Sequence, residues 1–160
     1  MPRWKRVTAT CHRVLTWLLV AGVALLVVPV SLQVFSRSIP FVPMYSWTEE
    51  MARFLFVWII MLGAMVGVRD GTHFDVDIWP ALGDRANALL RIVASIFILV
   101  FALVFVSAGV RFTLFAWDRV SELAELPLWL IHVAWPITGF AWLVFAGERI
   151  ADDARILRGK

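Results

Sequence analysis

Residues 14–36, VLTWLLVAGVALLVVPVSLQVFS, run for 23 positions without an Asp, Glu, Lys or Arg. With a rise of about 1.5 Å per residue, a helix of that length crosses the roughly 30 Å hydrocarbon core of a bilayer. The basic lead of Arg3, Lys5, Arg6 and Arg13 would suit a signal peptide. The apolar stretch is longer than the core of about 7–15 residues such a peptide carries, however, and no Ala-x-Ala site follows it. The segment is therefore read as a retained membrane helix, with Pro29 tolerated near its far end. Outward from it, three further charge-free blocks follow: 54–68, 92–110 and 126–147, of 15, 19 and 22 residues.

Composition agrees. In 160 residues, 61% are hydrophobic and 17% charged, where a soluble domain has about 45–50% and about 25%. A mean hydropathy of +0.83 in 18.2 kDa leaves too little polar surface to enclose a water-soluble globule. With 9 Gly, 7 Pro and one Cys, collagen-like, disordered and disulfide-scaffold classes are excluded. Cys11 alone cannot form an intramolecular disulfide or a paired-thiol redox site. A net charge of +3 could suggest nucleic acid, but the basic residues flank the apolar blocks rather than forming a stripe, so no nucleic-acid partner is expected.

The expectation is an all-α integral membrane protein, one domain over residues 1–160, with four transmembrane helices near 14–36, 48–68, 91–112 and 126–147. A short interfacial segment separates the second from the third. Lys and Arg in the flanks number eleven on the side of the termini and the middle loop, against four on the other. The positive-inside rule then places both termini in the cytoplasm. Trp47, Trp79, Trp117 and Trp129 fall near expected interfaces, where an indole keeps its N–H wet. Trp58, Trp135 and Trp142 fall within spans as packing or lipid-facing residues. Residues 148–160 could continue the fourth span as a short helix.

The second block is too short. Its 15 residues reach only about 22 Å, and Arg69-Asp70-Gly71 stops it on one side. Extension must come from Trp47-Thr48-Glu49-Glu50-Met51-Ala52-Arg53, with Ser46 and Glu49 fitting a capping box. Glu49, Glu50 and Arg53 thereby enter the outer edge of the membrane and can meet on one helical face. Two readings stay open for them: snorkelling into headgroups, or facing protein as an anchor for another helix or subunit. Beyond the span, His73, Asp75 and Asp77 alternate with Phe74, Val76 and Ile78, as in an extended segment with one polar side. A His-x-Asp-x-Asp triplet could hold a divalent ion; a wet, hydrogen-bonded loop explains it as well.

Trp47-x-Glu49-Glu50-x-Ala52-Arg53, then Trp58, Leu62-Gly63-Ala64 and Arg69-x-x-x-His73-x-x-x-Asp77 together resemble the small membrane subunit, DctQ-like, of tripartite ATP-independent periplasmic (TRAP) transporters. The resemblance is densest over residues 47–77. It implies a non-enzymatic subunit without a cofactor of its own, in the bacterial inner membrane. A large multi-span partner would carry the solute and coupling sodium, and a periplasmic solute-binding protein would deliver an organic acid. The small subunit would scaffold the large one and help dock the binding protein. On that resemblance Glu49, Glu50 and Arg53 are candidate contacts on the outward side, with Arg69, His73 and Asp77 their inward counterparts, and Trp47 and Trp58 are further interface or structural candidates. Gly63 and Ala64 would permit close helix approach, and membrane lipids are the remaining partners.

The residues agree with an accessory role, because no span carries an Asp, Glu, Lys or Arg at its middle, where a conducting protein places ionisable groups. An enzyme is disfavoured: only His132 lies in a span, too few for haem ligation, and Ser95 and Ser107 lack an intramembrane base. A self-sufficient homo-oligomeric transporter would want a carboxylate inside the first span, which offers only Ser31 and Gln33. A generic tetraspan adaptor is the remaining alternative.

Overall fold

The computed structural model describes residues 3–39, 41, 43, 45–71 and 83–158. Helix α1 spans Arg3–Ser38, α2 Trp47–Asp70, α3 Asp84–Phe115, the single turn α4 Trp129–His132, and α5 Ala134–Leu157. Four helical stretches are long and apolar enough to cross a membrane: Trp4–Ser38, Trp47–Asp70, Ala86–Phe115 and Trp129–Leu157. The alternating segment with His73 and Asp77 lies outside the described residues.

The helices are longer than the charge-free blocks. Nothing between Arg3 and Val14 breaks a helix, so α1 begins eleven residues before its apolar block and runs for 36 residues, about 54 Å. Asp84–Arg91 likewise forms the first turns of α3, and α5 carries the chain to Leu157 beyond the last apolar position. The fourth span starts at Trp129 rather than at 126, because the residues before it are used elsewhere. Val120 and Pro127 form an antiparallel bridge, Ser121 N–H donates to Leu126 O at 2.8 Å, and Leu128 N–H donates to Arg119 O at 2.9 Å. Residues 119–128 are thus a small hairpin. Pro136, which has no N–H to give to the preceding turn, sits in the first turn of α5, just after the break at Val133.

The expected capping box at the start of α2 does not form. Ser46 is itself in the helical region, at φ −62° and ψ −29°, with no side-chain cap bond. Thr48 Oγ1 instead donates to Tyr45 O at 2.6 Å. The opposite end stops as anticipated, with Gly71 left-handed at φ 75° and its N–H returned to Gly67 O.

α1 packs along α2, α2 along α5, and α5 along α3. The centre of this row holds Met61, Leu62, Met65 and Ala134, followed by Ile98, Ala102, Trp142 and Ala146. Phe105 lies between the two clusters, its ring centroid 5.1 Å from Trp135 and 4.8 Å from Trp142. Backbones come closest between α3 and α5. A Cβ on Gly139 would stand 2.8 Å from Ala102 O, and one on Gly109 would stand 2.6 Å from Pro136 Cδ. Lipid tails are as apolar as leucine, so such close packing supplies association energy that exclusion from water cannot. The outer helices have little of it: 6% of the most apolar stretch of α1 and 11% of that of α3 are buried, against 28% for α2 and 33% for the last span.

Candidate functional site

Charged side chains gather at the two ends of the row. At the end carrying both termini, Glu148 of α5 is 4% exposed. It pairs with Arg69 from the last turn of α2 and accepts a hydrogen bond from Thr8 Oγ1 of α1 at 3.2 Å. The Arg69 guanidinium also lies 5.6 Å from the Phe145 ring centroid. One turn on, Asp152 accepts from Lys5 Nζ at 2.9 and 2.7 Å. Asp153 accepts from Arg91 Nε of α3 at 2.9 Å. His12 Nε2 is 2.8 Å from Asp70 Oδ1, a close contact without hydrogen-bond alignment.

α5 thereby holds the other three long helices with three carboxylates at i, i+4 and i+5. Buried carboxylates are costly unless paired; Glu148 and Asp153 are buried and Asp152 is partly exposed, and each is matched with a cation. The cluster is chemically suited to fastening helices. Of the candidate residues on this side, Arg69 belongs to it, while His73 and Asp77 lie outside the described residues. Lys5, Arg91, Glu148, Asp152 and Asp153 were missed. The available signal was the spacing Glu148-x-x-x-Asp152-Asp153 directly after the last apolar block.

At the opposite end, Glu49, Glu50 and Arg53 do not meet as a trio. Arg53 Nη2 lies 3.5 Å from Glu49 in an exposed pair, the kind that contributes little. Glu50 turns to the hairpin: its Oε2 accepts the N–H of Leu123 at 3.1 Å and of Ala124 at 2.7 Å. The physical reason is competition. Two backbone donors at a hairpin tip, with no strand beside them, offer a carboxylate more than an arginine already shared with Glu49. Trp47 is exposed and tilted against Tyr45 at 6.3 Å, and Trp117 stacks on Trp129 at 5.5 Å.

Between the ends, the candidates are packing residues. Trp58 Nε1 donates to Leu130 O in α4 at 3.0 Å, and Trp142 Nε1 donates to Ala64 O in α2 at 3.1 Å. Gly63 is not a point of close approach within this chain, since a Cβ there would meet Leu19 Cδ1 at an ordinary 3.9 Å. Glu49, Arg53, Phe56, Ile60 and Ala64 share one face of α2 by their spacing. Phe56 and Ile60 are 53% and 48% exposed. The stripe runs into an apolar groove of about 540 Å³, walled by Phe97 and Phe101 of α3 and floored by Trp142. Among the described residues no group of three or more His, Cys, Asp or Glu could hold a metal ion.

A family model described as "Tripartite ATP-independent periplasmic transporters, DctQ component" matches residues 26–156. The chain belongs to the DctQ family. A similar protein is the "C4-dicarboxylate TRAP transporter small permease protein DctQ" of Rhodobacter capsulatus, 33% identical over 100 residues. That stretch takes in 57% of this chain and spans only 41% of the relative's length. The DctQ match includes α2, the hairpin and Glu148, Asp152 and Asp153 of α5, and excludes Lys5, Thr8 and His12 of α1.

Proposed function

We propose that the chain is a non-catalytic scaffold in the bacterial inner membrane, both termini cytoplasmic, that seats the large subunit of a TRAP-type organic-acid transporter. In this reading sodium and solute pass through the large subunit, and no cofactor is held here. The observation that carries the proposal is the sorting of charge. Each described ion pair lies at one end of the bundle or the other, and the hydroxyls of Ser107, Thr113 and Thr138 are turned back onto carbonyls of their own helices. A conducting path would need ionisable or hydrated groups at mid-depth. The excess of Lys and Arg beside the termini supports the orientation.

The α2 face from Arg53 through Phe56 and Ile60 to Ala64 is the seat we assign to the large subunit. It is apolar at mid-depth, charged at one end, and shaped by a groove, where small and aromatic residues permit close packing. The hairpin clamped by Glu50 is the contact we assign to the periplasmic solute-binding protein. The test is a photo-crosslinker placed at Ile60 or, as a control, at Val27 of α1. Crosslinking of a large membrane subunit from Ile60 but not from Val27 is expected. A homo-oligomer that moves organic acids alone in liposomes would overturn the proposal.

A further inference from the structure

At the end of the bundle bearing the termini, α1 and α2 share a cleft of about 410 Å³ whose lining includes His12, Arg13, Trp17, Arg69 and Asp70. Two arginines and one aspartate line it, and the aspartate is already against His12. Arg69 is held in place by Glu148. Arg13 has no ion-pair partner among the described residues and stands exposed at the cleft's edge. One turn deeper, Trp17 is 69% exposed.

Beyond the cleft, α1 presents an apolar face. Arg13, Trp17, Val20 and Val27 fall on one face of α1, with Val20 and Val27 54% and 58% exposed. From Trp17 to Val27 that track is about 15 Å long, close to the thickness of one leaflet's hydrocarbon at roughly half of 30 Å. A cationic pocket, an indole at the depth where indoles meet the glycerol region, and an apolar track of acyl-chain length follow one another in the order of a lipid's parts.

We propose that this cleft is a binding site for one anionic glycerophospholipid, its phosphodiester held by Arg13 and the edge of Arg69, and an acyl chain lying along Val20 and Val27. A free anion such as phosphate would use the guanidiniums but not the track. Charge-assisted hydrogen bonds are the strong ones, and Arg presents two donors to a phosphate at once. The site is independent of the transporter reading, since either leaflet supplies phospholipid.

The test is native mass spectrometry of the full chain, extracted in mild detergent with whatever it assembles with, and titrated with phosphatidylglycerol, phosphatidylcholine or inorganic phosphate. One tightly retained phosphatidylglycerol is expected, with phosphatidylcholine weaker because its cationic headgroup meets Arg13. Arg13→Gln should weaken retention about tenfold, as loss of a charge-assisted contact does. Arg158→Gln, at the same end but outside the cleft, should not change it. Quenching by phosphatidylglycerol brominated near the glycerol should fall in Trp17→Phe by more than that of any other single tryptophan replacement. Equal retention in Arg13→Gln, an equal loss in Arg158→Gln, or inorganic phosphate binding as tightly as the lipid would each overturn the site.

Discussion

Removing Arg69 should destabilise the bundle far more than removing an ordinary surface charge. Glu148 is 4% exposed, and without Arg69 its carboxylate keeps only the Thr8 hydroxyl at 3.2 Å. Breaking a buried pair from one side typically costs about 3–5 kcal/mol, because the surviving charge is left uncompensated. The Arg69 side chain is itself 24% exposed, so solvent screens part of the pair, and the low end, about 3 kcal/mol, is the expectation for Arg69→Met. Glu148→Gln should cost less, about 1–2 kcal/mol, because the freed guanidinium can reach water and the amide still accepts from Thr8. Arg69→Met combined with Glu148→Gln removes both charges and should recover part of the loss. The assay is equilibrium unfolding of the purified chain in mixed detergent–SDS micelles, followed by tryptophan fluorescence, as a double-mutant cycle. A coupling of at least about 1 kcal/mol is expected. Single variants within about 0.5 kcal/mol of the parent, adding without coupling, would refute the assignment of Glu148 as the fastening point.

Trp58→Phe keeps an aromatic side chain, though a smaller one, and loses the N–H bonded to Leu130 O; a loss of at least about 0.6–1.7 kcal/mol in the same unfolding assay is expected from the hydrogen bond between membrane helices, with the lost volume adding to it. Gly139→Val should cost about 1–3 kcal/mol by forcing α3 and α5 apart, since even a Cβ there meets Ala102 O at 2.8 Å. Gly63→Ala should leave stability within about 0.5 kcal/mol, because its nearest neighbour is a side-chain methyl at 3.9 Å; the contrast between the two glycines is read by unfolding midpoints. Glu50→Gln weakens the acceptor for two hairpin amides, so hydrogen exchange at Leu123 and Ala124 should speed up while exchange in α5 stays unchanged.

The membrane class and four helices could be read from the sequence because uninterrupted apolar length is a one-dimensional quantity. The extension of α2 through Glu49 to Arg53 followed from the same arithmetic, as 15 residues cannot span. The cap did not follow. Ser46 and Glu49 have the right spacing, yet Ser46 is already in the helical region and the Thr48 N–H turns back to Tyr45 O, a local backbone geometry that spacing alone does not reveal. The pairing of Arg69 with Glu148 joins residues 79 positions apart, and a charge count assigns both to the same rim without saying that they touch. Gly63 and Ala64 drew notice as small residues, but Gly109 and Gly139 carry the close approach. What separates these glycines is which helix lies opposite, and that depends on the row α1–α2–α5–α3 rather than on chain order.

That row explains why the ion pairs are where they are. That order of contacts leaves α1 touching chiefly α2, and α3 touching α5, with most of both surfaces facing outward. In lipid, apolar surface gives no preference for helix over acyl chain, so van der Waals contact along one seam is a weak determinant of which helix lies beside which. Charges in the rim change this. Lys5 and Thr8 reach past α2 to Asp152 and Glu148, and Arg91 fixes α3 to Asp153; each link is specific to its partner in a way that leucine against leucine is not. Fixing the helices at one end leaves the mid-depth faces free of polar obligations. A second membrane protein can then be seated on an apolar surface whose shape is set without using that surface to hold itself together.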